Sequence, residues 1–332
     1  MIVNIKKHYQ GNYSMIRISK RLQDAALLLI KRNIKMKKNE RVLVITDREG
    51  CSIFVSICAA VSQLGGKLFT AYITNKREHS SPLPQLKDLL NEVDIVIAPT
   101  DKSITHTKEV REARKKLGVR VVSMPGITEK MFIDSMAFDP KKIEKINSSL
   151  KRYLVNARNI TVLSSSGTFF KFKLDKKFKF EFNDTGDCSR KGAVTNIPAG
   201  EVYCFFSGGE GDIVIDRWRD EIDSRKQADK AILRIKDGKI INFTEAAYPY
   251  VKHQLSAGEC GLNIVEFGIG TNPNHKKPIG IVLYDEKVYS TIHFAFGGGG
   301  EIRKCSIHED FVVLEPTIVV DGKEIMKKGK FI

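Results

Sequence analysis

The chain has 332 residues, of which 42% are hydrophobic, and its formal net charge at pH 7 is +16. The length favours two domains over one, and the apolar content excludes a disordered chain. The longest apolar run, within residues 51–61, is well short of the roughly 20 residues that a membrane helix requires, so no membrane association is expected.

Three observations predict a reducing, cytoplasmic location and argue against nucleic acid as a partner. The first 15 residues have neither an apolar core nor a small-residue cleavage site, so no secretory signal is expected. The six cysteines are scattered without a C-x-x-C pair, and Cys51 and Cys58 are predicted to be buried helix thiols. The lysines are dispersed over both halves of the chain, which is typical of a solvated surface.

The first half of the chain alternates helices with short strands rich in Val and Ile. Helical periodicity covers residues 19–37, and further helices are predicted near 51–64 and 107–117. The predicted strands lie at 41–46, 67–73, 94–99 and 119–124. This order predicts a doubly wound, parallel-sheet α/β domain over residues 1–157. The loop after the first strand has no G-x-G-x-x-G and no Walker lysine, which disfavours a nucleotide site.

The second half changes character after a helix that is predicted from Asp139–Pro140 to about residue 156. From about residue 159, short alternating runs are joined by Gly, Asn and Asp turns, which is typical of antiparallel strands. The sequence therefore predicts a β-rich α+β domain over residues 158–332.

Four strand-like segments of this second domain carry carboxylates or imidazoles. In chain order they are NIPAGEV with Glu201, IVEFGIGTNPN with Glu266, TIHFAFGGGG with His293, and SIHEDF with His308 and Asp310. Mixed carboxylate and imidazole ligands suit borderline divalent metals, and residues two apart on a strand share one face. The set predicts a metal site.

Each segment also has a plain structural alternative. Glu201 and Glu266 fit exposed acids at strand ends, His293 fits a core histidine, and the His308–Asp310 pair fits an edge-strand ion pair. Gly297–Gly300 fits either a flexible turn or a strand that a ligand or another backbone approaches closely. Because the four segments lie within about 110 residues of one domain, their convergence on one site is favoured.

These segments, in this order, resemble the M29 peptidase family of the aminopeptidase T type. The resemblance extends to residues 103–113 and 123–132 and so covers nearly the whole chain. It implies a cytoplasmic homodimer with a pair of divalent metal ions held by the C-terminal domain. For this chain the expected cofactor is one or two divalent ions (Zn, Co or Mn). Position by position, it implies the metal ligands Glu201, Glu266, His293, His308 and Asp310.

The function that this resemblance implies is a metal-dependent aminopeptidase acting on a small peptide or amide. A metal-bound water with a pKa of roughly 7 would be the nucleophile. Glu266 and Glu201 are the predicted catalytic carboxylates, with Glu266 bridging the metals or acting as general base. The family has a metal-site tyrosine after the strand histidine where this chain has Gly297–Gly300, and Tyr284 and Tyr289 are candidates to supply that hydroxyl.

Two alternatives belong to other functional classes. The chain also resembles, more distantly, dihydroxypyridine dioxygenases, which hold one Fe(II) with a histidine and an H-x-D pair and in which a histidine is expected at the position of Glu266. Two histidines and one carboxylate are the usual ligands for such chemistry. The second alternative is a basic binding protein without catalytic activity, whose affinity for nucleic acid falls with salt.

Overall fold

A computed structural model describes residues 18–74, 77, 81–105, 107–174, 178–299 and 302–332. The N-terminal segment considered above for a secretory signal, and Gly300 of the glycine run, lie outside the described residues. So does His106 of the 103–113 segment.

The elements are numbered here in chain order. The helices are α1 Lys20–Leu28, α2 Ser52–Gln63, α3 Lys87–Asn91, α4 Lys108–Glu112, α5 Glu129–Met136, α6 Pro140–Leu154, α7 Tyr248–Leu255 and α8 Val282–Asp285. The strands are β1 Arg41–Thr46, β2 Lys67–Tyr72, β3 Ile95–Ala98, β4 Arg120–Ser123, β5 Asn159–Ser164, β6 Phe169–Lys173, β7 Glu181–Asp184, β8 Val194–Asn196, β9 Glu201–Phe205, β10 Glu210–Val214, β11 Arg217–Trp218, β12 Ile222–Asp223, β13 Ile232–Lys236, β14 Lys239–Phe243, β15 Ile264–Gly270, β16 Ile292–Gly299, β17 Arg303–Val313, β18 Pro316–Val320, β19 Lys323–Lys327 and β20 Lys330–Phe331.

The chain divides into two compact units and crosses between them more than once. The first contains the described residues up to Pro140 together with Gly186–Ala199, and the second contains Lys141–Thr185 and Gly200–Ile332. This division differs from the predicted boundary between residues 157 and 158. Helix α6 belongs with the β-rich unit, and strand β8 returns to the first unit because it pairs in parallel with β4.

The first unit is built on a parallel sheet with the strand order β2-β1-β3-β4-β8. Helices α1, α2 and α5 pack against one another, and α3 packs with α4. The apolar side chains of α3 and α4 join those of β1, β3 and β4 in one core. Ser19 caps α1 by accepting a hydrogen bond from the N–H of Leu22 at 3.2 Å, and the buried Leu22 and Ala26 form its apolar face.

The second unit consists mainly of two antiparallel sheets. Their strand orders are β14-β13-β10-β6-β5-β18-β19-β20 and β12-β11-β17-β16-β15-β9-β7. Phenylalanine rings fill the space between them: Phe170 of β6 meets Phe294 of β16 at 5.5 Å between centroids, and Phe172 meets Phe267 of β15 at 5.3 Å. The predicted fold class, a parallel-sheet α/β domain followed by a β-rich α+β domain, is confirmed.

The cysteines differ from the sequence-based prediction. Cys260 and Cys305, which are 45 residues apart in sequence, form a disulfide, although the scattered cysteines predicted a reduced protein. Cys51 and Cys58 are free but half-buried, because Cys51 precedes α2 and Cys58 lies on a partly exposed face of it. Among the described helices, none is long and apolar enough to cross a membrane.

Candidate metal centre

The candidate residues lie on one face of the seven-stranded sheet. Along β15, β16 and β17 every second side chain points into the phenylalanine core, as Phe267, Phe294 and Phe311 do. The alternate residues point to the opposite face. These are Glu201 of β9, Glu266 of β15, His293 of β16, and His308 and Asp310 of β17.

Strand register places small residues beside the larger polar ones. Gly268 pairs with His293, Ala295 pairs with both Glu266 and Asp310, and Gly297 pairs with His308. A Cβ atom at Gly268 would overlap the imidazole of His293, so only glycine leaves space for that ring across β15. The small side chains thus keep the volume between the candidate ligands open.

The glycine run after His293 continues β16 instead of forming a turn. Gly297 has a φ of +108°, and a Cβ there would overlap the carbonyl oxygen of Ile307 on β17. Of the two alternatives, close approach of another backbone is therefore the correct one for Gly297. The carbonyl oxygen of Gly298 accepts a hydrogen bond from Nδ1 of His308 at 2.6 Å.

The first group of candidate ligands is Glu201, Glu266 and His293, all of which are buried. The Nε2 atom of His293 lies 3.2 Å from Oε2 of Glu201 and 3.7 Å from Oε1 of Glu266. Neither contact has hydrogen-bond geometry. Within the described part of the chain, both nitrogens of His293 and Oε2 of Glu201 are therefore buried without a hydrogen-bond partner. Such buried polar atoms require a partner.

The second group is Glu266, His308 and Asp310. The Nε2 atom of His308 lies 3.5 Å from Oε2 of Glu266 and 3.5 Å from Oδ2 of Asp310. Since a carbonyl oxygen only accepts, the contact with Gly298 places a proton on Nδ1, and Nε2 is the ring nitrogen that faces the two carboxylates. The other Asp310 oxygen, Oδ1, is buried and has no hydrogen-bond partner among the described residues.

The two groups share Glu266, and within each group the candidate ligand atoms lie within 4.8 Å of one another. Carboxylate oxygens and imidazole nitrogens at such separations fit a divalent ion of the Fe, Mn, Co or Zn type. All five predicted residues therefore converge, as expected from the sequence. That they bind metal stays a prediction.

Charged neighbours and burial shift the pKa values of the acids and bases on this face. Burial would raise the pKa of Glu201, but the charge of Lys287 and the contact with His293 lower it to about 2. Burial would lower the pKa of His308, but Asp310 and Glu266 raise it to about 10. For Glu266, burial is the main effect and raises the pKa.

Sequence reasoning missed Lys287 and its neighbours. The Lys287 side chain is 1% exposed, and its Nζ lies 2.5 Å from Oε1 of Glu201, 2.7 Å from Oε1 of Glu286 and 3.6 Å from Oδ2 of Asp184. The only signal in the sequence is a Glu–Lys pair two residues after the apolar run IVLY, which is equally typical of a surface turn. The partners that bury it come from strands about 85 and 100 residues earlier.

A tyrosine that was not proposed from the sequence shares the sheet face of the candidate ligands. Tyr284 stacks on His275 at 3.8 Å, and Tyr289 packs against Phe331 at 5.2 Å between centroids. Tyr203 of β9 instead pairs with Gly268, in the same row of the sheet as His293. Burial, together with the charges of Glu266 and Glu201, raises its pKa.

Comparison with known proteins identifies the family. The family model of NicX, 2,5-dihydroxypyridine 5,6-dioxygenase, matches residues 30–244. The chain belongs to this family. The matched range includes Glu201 and ends before Glu266, His293, His308 and Asp310. NicX membership indicates an enzyme and does not support the alternative of a non-catalytic basic binding protein.

Solved structures agree on the fold. The 2,5-dihydroxypyridine dioxygenase of Pseudomonas putida KT2440 has a TM-score of 0.78 at 16% identity, covering 94% of this chain and 96% of that one. Wild-type AmpT from Thermus thermophilus has a TM-score of 0.66 at 13% identity, covering 94% and 99%. The second likeness supports the fold relationship with M29 peptidases, whereas the aminopeptidase function is not confirmed. No curated protein matches the sequence.

Proposed function

We propose that the chain is a dioxygenase that uses one Fe(II) ion to cleave a dihydroxylated pyridine-type ring. The observation that carries the proposal is the match to the NicX family over residues 30–244. Its structural support is the group Glu266, His308 and Asp310, whose three candidate ligand atoms lie within 4.8 Å of one another and would hold the ion. Fe(II), when bound, supplies the site at which a ring hydroxyl and dioxygen are brought together.

The protein's own residues would hold and orient these components. His308 is fixed by Gly298 and is 29% exposed, so the site opens to solvent on its side. Tyr203 and Phe205, whose rings meet at 5.7 Å between centroids, flank this face on β9. We expect a flat aromatic substrate to stack against this pair of rings. His293 lies between Glu201 and Glu266; burial would lower its pKa, but these two carboxylates raise it, so the imidazole holds a proton at this place in the site.

The ligand group departs from two histidines and one carboxylate, because Glu266 supplies a carboxylate where a second imidazole is expected. An additional anionic ligand favours the more highly charged Fe(III), so a bound Fe(II) ion would be oxidised more readily.

The experiment therefore uses protein purified and loaded with Fe(II) under anaerobic conditions. Oxygen uptake with 2,5-dihydroxypyridine, and loss of the absorbance of the aromatic ring at the same rate, is the expected result. Equal uptake by an Asp310→Asn variant would contradict the proposal.

A dinuclear aminopeptidase-type hydrolase is the second candidate. It is favoured by the first ligand group, Glu201, Glu266 and His293, because this group shares Glu266 with the second one and a shared carboxylate is a common bridge between two ions. This candidate requires release of N-terminal residues from short peptides that depends on Zn, Co or Mn. Release of this kind, without oxygen uptake on the ring substrate, would replace the dioxygenase proposal.

The cytoplasmic location and the homodimer stay proposals. Sedimentation or light scattering of the purified chain tests the dimer directly. Neither property enters the argument for the reaction, because every residue of the candidate centre belongs to the second unit.

A further inference from the structure

Lys287 is a buried cation beside one of the two candidate ligand groups. Its ammonium contacts Glu201 and Glu286 at 2.5 and 2.7 Å and is 3.6 Å from Asp184. A buried charge is tolerated when it is paired in this way. Lys287 therefore belongs to the electrostatic balance of the site.

The backbone around Lys287 is held on both sides. Its N–H donates to the carbonyl oxygen of Tyr284 at 3.1 Å, and its carbonyl oxygen accepts from the N–H of Asn272 at 3.1 Å. A Cβ atom at Gly270 would overlap the carbonyl oxygen of Val288, so the segment lies directly against the end of β15. With 1% of its side chain exposed, the ammonium has no solvated position to adopt without first leaving its carboxylates.

The two oxygens of Glu201 face different partners. Oε1 contacts Lys287, and Oε2 faces His293. An ion bound by Glu201, Glu266 and His293 would thus share one carboxylate with an ammonium. Like charges so close together in a buried place are poorly screened. Within the described part of the chain, by contrast, no Lys or Arg forms an ion pair with Glu266 or Asp310.

We propose that the buried ammonium of Lys287 keeps a second metal ion from binding to Glu201, Glu266 and His293, so that the chain binds one ion, held by Glu266, His308 and Asp310. This inference deepens the proposed function. It rests on that function only because it takes Glu266, His308 and Asp310 as the metal ligands. It explains how a face with two ligand groups serves a reaction that needs one ion. Lys287 acts here as a positioning residue, because its contacts are with Glu201 and not with reacting atoms.

The test counts bound ions without any turnover. Wild-type protein and Lys287→Met are dialysed to equilibrium against Mn(II), and their metal content and Mn(II) electron paramagnetic resonance spectra are measured. We expect one ion and an isolated six-line signal for the wild type, against two ions and a spin-coupled signal for Lys287→Met. Lys287→Arg, which retains the charge, should bind one ion. The matched control Lys304→Met changes an exposed lysine of β17 and should also bind one.

A second variant covers a failure of Lys287→Met to fold, since that substitution leaves buried carboxylates without their cation. Glu286→Gln combined with Lys287→Met removes one charge of each sign, and it should also bind two ions. Two ions in the wild type, no ion in the wild type, or one ion in the folded double variant would each overturn the inference. A wild type with one ion but no oxygen uptake would instead refute the proposed reaction and leave the role of Lys287 standing.

Discussion

Gly268 and His293 lie opposite each other on β15 and β16, and the imidazole fills the volume that a side chain at position 268 would occupy. The glycine is required by the ring and not by its own backbone, because Gly268 is not among the residues with positive φ. One small residue therefore positions a buried histidine between Glu201 and Glu266.

Gly268→Ala should destabilise the protein by about 1–3 kcal/mol, because the added methyl group is forced into a filled space. In a His293→Ala background the same change should cost at least about 1 kcal/mol less, since the ring that it meets has gone. Urea unfolding of the four proteins of this double-mutant cycle measures both values. Equal costs in the two backgrounds would show that the strand itself, and not the imidazole, excludes alanine.

Asp310→Asn should weaken binding of a divalent ion by about 100-fold or more, because it removes a charged candidate ligand. The matched control is Glu309→Gln, one residue away on the opposite face, where Glu309 accepts hydrogen bonds from Trp218 at 3.0 Å and Arg219 at 2.9 Å. That control should lose about 1–3 kcal/mol of stability and keep its metal affinity. Calorimetric titration with Mn(II) measures the metal affinity of both variants. Weakened binding by Glu309→Gln with normal binding by Asp310→Asn would exclude Asp310 as a ligand.

Tyr203→Phe should lower ring-cleavage turnover about 10²-fold at unchanged metal content, if its hydroxyl orients the substrate beside Glu266. The phenyl ring stays, so packing against Phe205 is retained. Tyr248→Phe, an exposed tyrosine of α7, is the control and should have normal turnover. Normal turnover in both variants would show that the Tyr203 hydroxyl has no part in the reaction.

Asp223 should make stability depend on pH. Hydrogen bonds from Arg225, aided by the charge of Arg217, outweigh burial and lower the pKa of Asp223 to about 2. Since its unfolded value is about 3.9, the ionised carboxylate contributes about 2 kcal/mol at neutral pH, and this contribution is lost as pH falls from about 4 to 2.

Asp223→Asn should therefore lower the free energy of unfolding by about 2 kcal/mol at pH 7, and the difference from wild type should be about half as large at pH 3. Urea unfolding at a series of pH values measures it. A difference that stays constant from pH 7 to pH 3 would mean that the ionisation of Asp223 is not its cause.

The Cys260–Cys305 disulfide closes a loop of 45 residues, and loop closure of this length contributes up to about 4 kcal/mol. Unfolded, unreduced protein should titrate as four free thiols, namely Cys51, Cys58, Cys188 and Cys204. The double change of Cys260 and Cys305 to serine should lower stability, whereas Cys51→Ser should have little effect. Six titratable thiols before reduction would instead support the reduced protein that the sequence predicts.

Local sequence patterns determined the helices and strands, and they determined which face of a strand carries the candidate ligands. The spacing of two between His308 and Asp310 placed both side chains on one side of β17, with Nε2 and Oδ2 3.5 Å apart, because strand residues alternate by a fixed period. Val- and Ile-rich runs separated by helices similarly predicted the parallel sheet of the first unit. These features depend on residues a few positions apart, so the sequence alone is sufficient for them.

Only the tertiary structure decided which residues meet. Gly268 faces His293, and Lys287 reaches Glu201, through antiparallel registers and loop packing between segments 25 to 86 residues apart. No local pattern encodes such a register, because a two-residue shift preserves the face and changes every neighbour. A lysine in a Glu–Lys pair looks solvated until the strands that bury it are in place. The burial of that cation, and with it the proposed number of metal ions, is therefore a property of the assembled sheet.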